Sequence, residues 1–179
     1  AIAPLAQKYG FSYIGGHPMA GKELSGFANA DTELFVGASM ILTPDESSNI
    51  IVLDKLKSFF LSIGFGVITF STPEEHDRII AYTSQLAHIS SSAYVKSPTA
   101  QTHMGFSAGS FNDMTRVARL DENMWTELFS ANRDNLISEL DTFISHLNEY
   151  MNALKANDTD SLRELLKNGR QLKATAGGK

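Results

Sequence analysis

Three stretches carry the residue types from which a proton-transfer or anion-binding site is built. The densest is GGHPMAGKELSG, residues 15–26. Two glycines precede His17 and Pro18 follows it, so the backbone is free to turn sharply after a strand and is then stiffened. That arrangement projects an imidazole from a strand end at a fixed angle, and imidazole is the side chain whose unperturbed pKa suits proton transfer near neutral pH. A turn with an incidental surface histidine accounts for the same residues.

The second stretch, EEHDRIIAYTSQLAHISSSA (74–93), offers His76 and His88, twelve residues apart on one predicted helix. Twelve α-helical steps separate them by about 120° in azimuth and ~18 Å along the axis, which rules out a shared metal. Ser84, Gln85, His88, Ser91 and Ser92 form a polar stripe, with Ile79, Ile80, Leu86 and Ile89 on the other face; a solvated face is the alternative for any one of the polar residues. His76, beside Asp77 in the first turn, reads as a capping or packing residue rather than a catalytic one. The third stretch, GFSAGSFNDMTRVARLDENMW (105–125), places a Gly/Ser loop before Arg116, expected at a helix start. Loop N–H groups and a guanidinium together suit a carboxylate, although a flexible connector with a surface arginine fits equally. The only tryptophan, Trp125, belongs to this stretch.

These residues sit in a chain of 179 with 42% hydrophobic and 20% charged residues, enough to build a core. Lys plus Arg is 15 against 20 Asp plus Glu, a net charge of −5, which argues against nucleic acid as a partner. The absence of cysteine excludes a disulfide scaffold, a thiolate zinc site and a cysteine nucleophile. No apolar run approaches the ~20 residues of a membrane span. The chain opens on Ala1 without a leader pattern, so it is expected to be cytoplasmic, and either processed or a piece of something longer.

The elements that must position the candidates change character along the chain. Residues 1–71 read as α/β: strands near 11–16, 35–44 and 66–71, and a helix over 50–64 ended by Gly64. From Thr72 onward the pattern is helical. Ser71, Thr72, Pro73, Glu74 and Glu75 make a helix start, and that helix is expected to run into the low 90s. Leu136, Leu140, Phe143, Leu147, Met151 and Leu154 form a stripe at helical spacing, either an internal core face or a subunit interface. A last helix is expected from Thr159 to about Asn168, before Gly169. No dinucleotide fingerprint is present.

GGHPMAGKELSG, EEHDRIIAYTSQLAHISSSA and GSFNDMTRVARLDENMWTELFSAN, in this order and spacing, resemble the prephenate dehydrogenase family, which includes the arogenate dehydrogenases of tyrosine biosynthesis. The resemblance runs from Gly15 to the last helix. It implies a mainly α fold: a helical substrate-binding and dimerisation domain, 72–179, preceded by a small α/β remnant of a Rossmann-like nucleotide-binding domain, 1–71. It implies NAD(P)-dependent oxidative decarboxylation of prephenate to 4-hydroxyphenylpyruvate, with NAD or NADP as cofactor, a homodimer as assembly, and no metal. Its glycine-rich cofactor fingerprint belongs upstream, so the resemblance makes this chain a fragment without the main cofactor site, expected to be inactive alone. His17 matches the general base at the C4 hydroxyl, and Arg116 the arginine that anchors a substrate carboxylate. His88 matches a substrate-contacting histidine, Gly109 and Trp125 match pocket-lining positions, Glu23 matches an acid near the pocket mouth, and Ser84 fits the polar stripe. Gln85 and Ala87 stand where the family often has histidine and proline, and Asn112 where it often has a basic residue, which leaves prephenate against arogenate open. A non-catalytic helical dimerisation module is the reading from a different class.

Overall fold

The computed structural model describes residues 2–22, 26–46 and 48–176. Its first part holds α1 (Ile2–Tyr9), β1 (Gly15–Pro18), β2 (Ser39–Thr43), α2 (Ile50–Ser62) and β3 (Val67–Phe70). The helical remainder begins with α3 (Pro73–Ile80), which passes through a π-helical stretch, Ala81–Leu86, into α4 (Ala87–Tyr94). Then follow α5 (Gly109–Thr115), α6 (Glu122–Ala131), α7 (Arg133–Lys155) and α8 (Thr159–Thr175). The fold is mainly α with a small mixed sheet, ordered β1-β2-β3.

β2 is the central strand. It pairs antiparallel with β1, His17 opposite Ile41, and parallel with β3. The alternation in Ser39–Thr43 buries Met40 and Leu42 against Phe65, with Leu56 and Phe60 of α2 packed over them. Directly paired residues share a sheet face and neighbours alternate. Gly16, opposite Leu42, therefore faces the α2 core, while His17, opposite Ile41, faces the other way. This corrects the expected strand at 11–16: β1 starts at Gly15, and His17 lies inside it rather than beyond its end. The glycines do not make a turn. A Cβ on Gly15 would lie 2.4 Å from Thr43 Oγ1, so that glycine serves close strand packing, whereas one on Gly16 would meet only the flexible end of Met40, Cε at 2.6 Å.

β3 joins α3 through Ser71 and Thr72 alone. The Ser71 N–H donates to the Leu42 carbonyl at 3.0 Å, which extends the sheet. Thr72 caps the helix by accepting the Glu75 N–H at 3.1 Å, and the Ser71 hydroxyl donates to the Glu75 carboxylate at 2.9 Å. The expected start at Pro73 is therefore where the helix begins. The π stretch was not expected, and it interrupts the α-helical spacing between His76 and His88.

α7 and α8 form a hairpin turned at Asn157, which takes the left-handed conformation (φ 52°). Asp158 accepts the Ser161 N–H at 2.9 Å and starts α8, which runs on through Gly169 to Thr175, seven residues past its expected end at Asn168. The α7 stripe divides. Leu136 is buried, whereas Leu147, Met151 and Leu154 are exposed, as are Leu166 and Leu172 of α8. The accessible surface is 13585 Å². A compact monomer of this mass exposes about 8,600 Å², so the chain presents far more surface than a self-contained domain does.

Candidate active site

Strand parity aims His17 at the start of α3, and the two-residue link brings His76 to meet it. His17 Nδ1 lies 2.8 Å from His76 Nε2, with the rings edge to face at a centroid distance of 5.0 Å. His76 Nδ1 in turn lies 2.8 Å from the Asp77 carboxylate. The three side chains border a cavity of about 200 Å³ shared with Tyr13, Thr43 and Pro73. His17 is half-buried, and its pKa is held below the ordinary imidazole value of 6.5, first by desolvation and then by repulsion from His76. A neutral imidazole in a small cavity, hydrogen-bonded on one nitrogen, has the properties of a proton acceptor.

His76 is the residue that sequence reasoning passed over. Its partner is 59 residues away, and only the strand register reveals the pairing. The signal available was local: a histidine and an acid side by side in the first turns of a helix that follows a strand after two residues.

A second cluster lies further along the same helical run. His88 is packed on Trp125, ring centroids 4.0 Å apart, and its Nδ1 is 3.1 Å from the Val117 carbonyl. With the carbonyl as acceptor, that nitrogen carries the proton. Ser91 is buried and donates to the Met114 carbonyl at 2.7 Å, which bolts α4 to α5. Trp125 is half-buried on α6 and also packs against Phe129, ring centroids 5.2 Å apart and tilted by 46°. Ser84 is half-buried in the π stretch. Gln85 is buried and bound to the Leu128 carbonyl (3.4 Å) and the Asn132 amide (2.9 Å), so it serves the helix packing.

Arg116 requires a correction. The Gly/Ser loop leads into α5 at Gly109, and Arg116 is at the other end, where its N–H donates to the Asn112 carbonyl at 2.9 Å. The helix starts seven residues earlier than expected because Ala108, still extended, hands directly to Gly109. Arg116 is exposed, and the helix end beside it supplies carbonyls, which favour a cation but add no donors for an anion. Gly109 opens α5, and its neighbours Ala108 and Ser110 line a cleft of about 630 Å³ with Tyr94, His103 and Phe111. Glu23 lies outside the described residues.

The described residues thus form two groupings, His17–His76–Asp77 and His88–Trp125 with the carbonyl of Val117. No group of three His, Asp or Glu suited to a metal occurs among them. The links from β2 to α2 and from β3 to α3 contain no glycine, so neither offers the close backbone approach that a dinucleotide pyrophosphate needs. Neither link therefore forms a pyrophosphate cradle of that kind.

Comparison with known proteins decides the family. Residues 72–168 match "Prephenate dehydrogenase, dimerization domain", more than half of the chain, and residues 2–69 match "Prephenate dehydrogenase, nucleotide-binding domain". The chain belongs to the prephenate dehydrogenase family. A cyclohexadienyl dehydrogenase of Zymomonas mobilis is 34% identical over 158 residues, covering 84% of this chain and 53% of its own length. The prephenate dehydrogenase of Bacillus subtilis is 30% identical over 161 residues, covering 85% and 42%. The crystal structure of prephenate dehydrogenase from Aquifex aeolicus in complex with hydroxyphenyl propionate and NAD+ aligns with a TM-score of 0.79 at 27% identity, over 98% of this chain and 63% of that one. The chain spans about half the length of the curated relatives it matches. These relatives are oxidoreductases, and no described helix is long and apolar enough to cross a membrane.

Proposed function

We propose that this chain is the substrate-binding and dimerising part of a dehydrogenase of tyrosine biosynthesis, acting on prephenate or on its amino-acid counterpart arogenate by oxidative decarboxylation. The observation that carries the reading is His17: an imidazole half-buried, hydrogen-bonded through Nδ1, and with its pKa lowered by desolvation and by repulsion from His76. His17 takes the proton of the ring hydroxyl as that oxygen becomes a carbonyl, the task for which a general base contributes about 10²–10⁴-fold. Arg116 anchors a substrate carboxylate, and His88, oriented by the Val117 carbonyl and by Trp125, offers its second nitrogen to the substrate. Ser84, Gly109 and Glu23 complete the substrate side. NAD or NADP supplies oxidising power from outside these residues. The division at residues 71 and 72 separates the nucleotide-binding remainder from the helical part, and the exposed face of α7 and α8 joins two copies.

The test is His17→Asn in the complete enzyme carrying this chain. The rate constant is expected to fall at least a hundredfold, with a small change in the Michaelis constant for the ring substrate; a fall under about tenfold across the pH profile removes His17 as the base. Neither prephenate nor arogenate being decarboxylated by the unmodified enzyme overturns the assignment itself.

A further inference from the structure

We propose that Asp77 and His76 are positioning residues that hold His17 in its Nδ1–H tautomer and leave its Nε2 bare for the substrate proton. The inference rests on the reading of His17 as the base, and it adds how that base is oriented.

The order of atoms sets the direction of each proton. An ionised carboxylate only accepts hydrogen bonds, so the 2.8 Å contact from Asp77 Oδ1 to His76 Nδ1 places a proton on that nitrogen. A neutral imidazole has one donor and one acceptor, and His76 Nε2 becomes the acceptor. The 2.8 Å contact between His76 Nε2 and His17 Nδ1 is then completed by a proton from His17. His17 keeps an unprotonated Nε2, the nitrogen further from the chain and better able to reach a ligand. An acid behind an imidazole fixes the tautomer in the same way in Ser-His-Asp triads; here the relay is one histidine longer.

The arrangement is built rather than incidental. His17 is fixed by pairing with Ile41 in the middle of the β1–β2 register. His76 lies in the first turns of α3, whose start is anchored by the Thr72 cap and by the Ser71 bond to the Leu42 carbonyl. The Asp77 backbone is held from a third direction, because its carbonyl accepts the Asn132 side-chain amide at 2.7 Å. A histidine needed only to start a helix has no use for a partner on a strand 59 residues away.

The test reads tautomers directly. Long-range proton–nitrogen correlation spectra of this chain, recorded above the imidazole titration range with His17→Gln for assignment, are expected to show His17 protonated at Nδ1 and bare at Nε2. In His76→Phe and in Asp77→Asn, His17 is expected to shift towards Nε2–H, and the Asp77→Asn spectrum carries the test if His76→Phe does not fold. In the complete enzyme Asp77→Asn should lower the rate constant at least about tenfold and change the Michaelis constant for the ring substrate less than about threefold. An Nε2–H tautomer in the unmodified chain, or an unchanged tautomer in both variants, overturns the relay. The two readings fail separately: loss of activity in His17→Asn with an Nε2–H tautomer sinks the relay alone, and retained activity with the expected tautomer sinks the role of His17 as base.

Discussion

Asn132, at the junction of α6 and α7, donates its side-chain amide to the backbone carbonyl of Asp77 at 2.7 Å and to Gln85 Oε1 at 2.9 Å. Its own Oδ1 accepts from Asn135 at 2.8 Å. One amide thus ties the helix that carries His76 to the long helix with the exposed apolar face.

Asn132→Ala would strip the buried Gln85 of its best partner, leaving only the long contact to the Leu128 carbonyl at 3.4 Å. A loss of about 1–3 kcal/mol is expected. Urea titration of the two proteins measures it, and an unmoved midpoint would show that water satisfies Gln85 in the variant.

Arg116→Ala in the complete enzyme should damage substrate binding above all. The guanidinium offers parallel donors to one carboxylate and keeps its charge near neutral pH, and its loss costs about 2–5 kcal/mol, with lysine a partial substitute. The Michaelis constant for the ring substrate should rise about thirtyfold or more, while that for the nicotinamide should barely move. Steady-state kinetics with each substrate varied in turn separates the two. No change in either would make Arg116 a surface arginine that merely suits the carbonyl end of α5.

The lowered pKa of His17 makes stability depend on pH. Below about pH 6.5 the unfolded chain takes up a proton that the folded His17 resists. Stability from this group is therefore fully present above that value, and is lost as the pH falls through the folded pKa. Tyr13, His76 and Asp77 share its cavity, and His76 adds to the repulsion. The drop in urea midpoint between about pH 7.5 and pH 5.5 should be smaller in His17→Gln than in the unmodified chain. An equal or larger drop in the variant would place the sensitivity elsewhere.

Light scattering at micromolar concentration should give twice the chain mass of 19.6 kDa. Leu147, Met151 and Leu154 of α7 are exposed together with Leu166 and Leu172 of α8, a surface that a second copy would cover. Leu147→Glu with Met151→Glu should give a monomer of unchanged helicity. A monomer in the unmodified chain would leave this face to some other cover.

Local signals carried much of this fold and little of the site. Thr72, Pro73 and Asp158 announce helix starts because a cap is an arrangement of neighbours, and all three sit where the helices begin. Gly169 did not end α8, since a glycine inside a helix weakens it without stopping it. The pairing of His17 with His76 was invisible because it depends on strand register and on which sheet face each residue takes. The role of Gly15 depends on register in the same way: the atom that crowds a Cβ there is Thr43 Oγ1 on the facing strand. Arg116 moved to a helix end because the loop before α5 carries no capping side chain to mark the start at Gly109.

The wide turn at Ala81–Leu86 also makes the chain's residue count matter. Were the same residues wound as an unbroken α-helix, the extra residue that the wide turn absorbs would push everything after it one step round the axis. Every side chain beyond it would then rotate by about 100°. His88 would leave Trp125, and Ser91 would leave the Met114 carbonyl, although neither residue had been changed. The helix would be more regular, and the wall it shares with α5 and α6 would be undone.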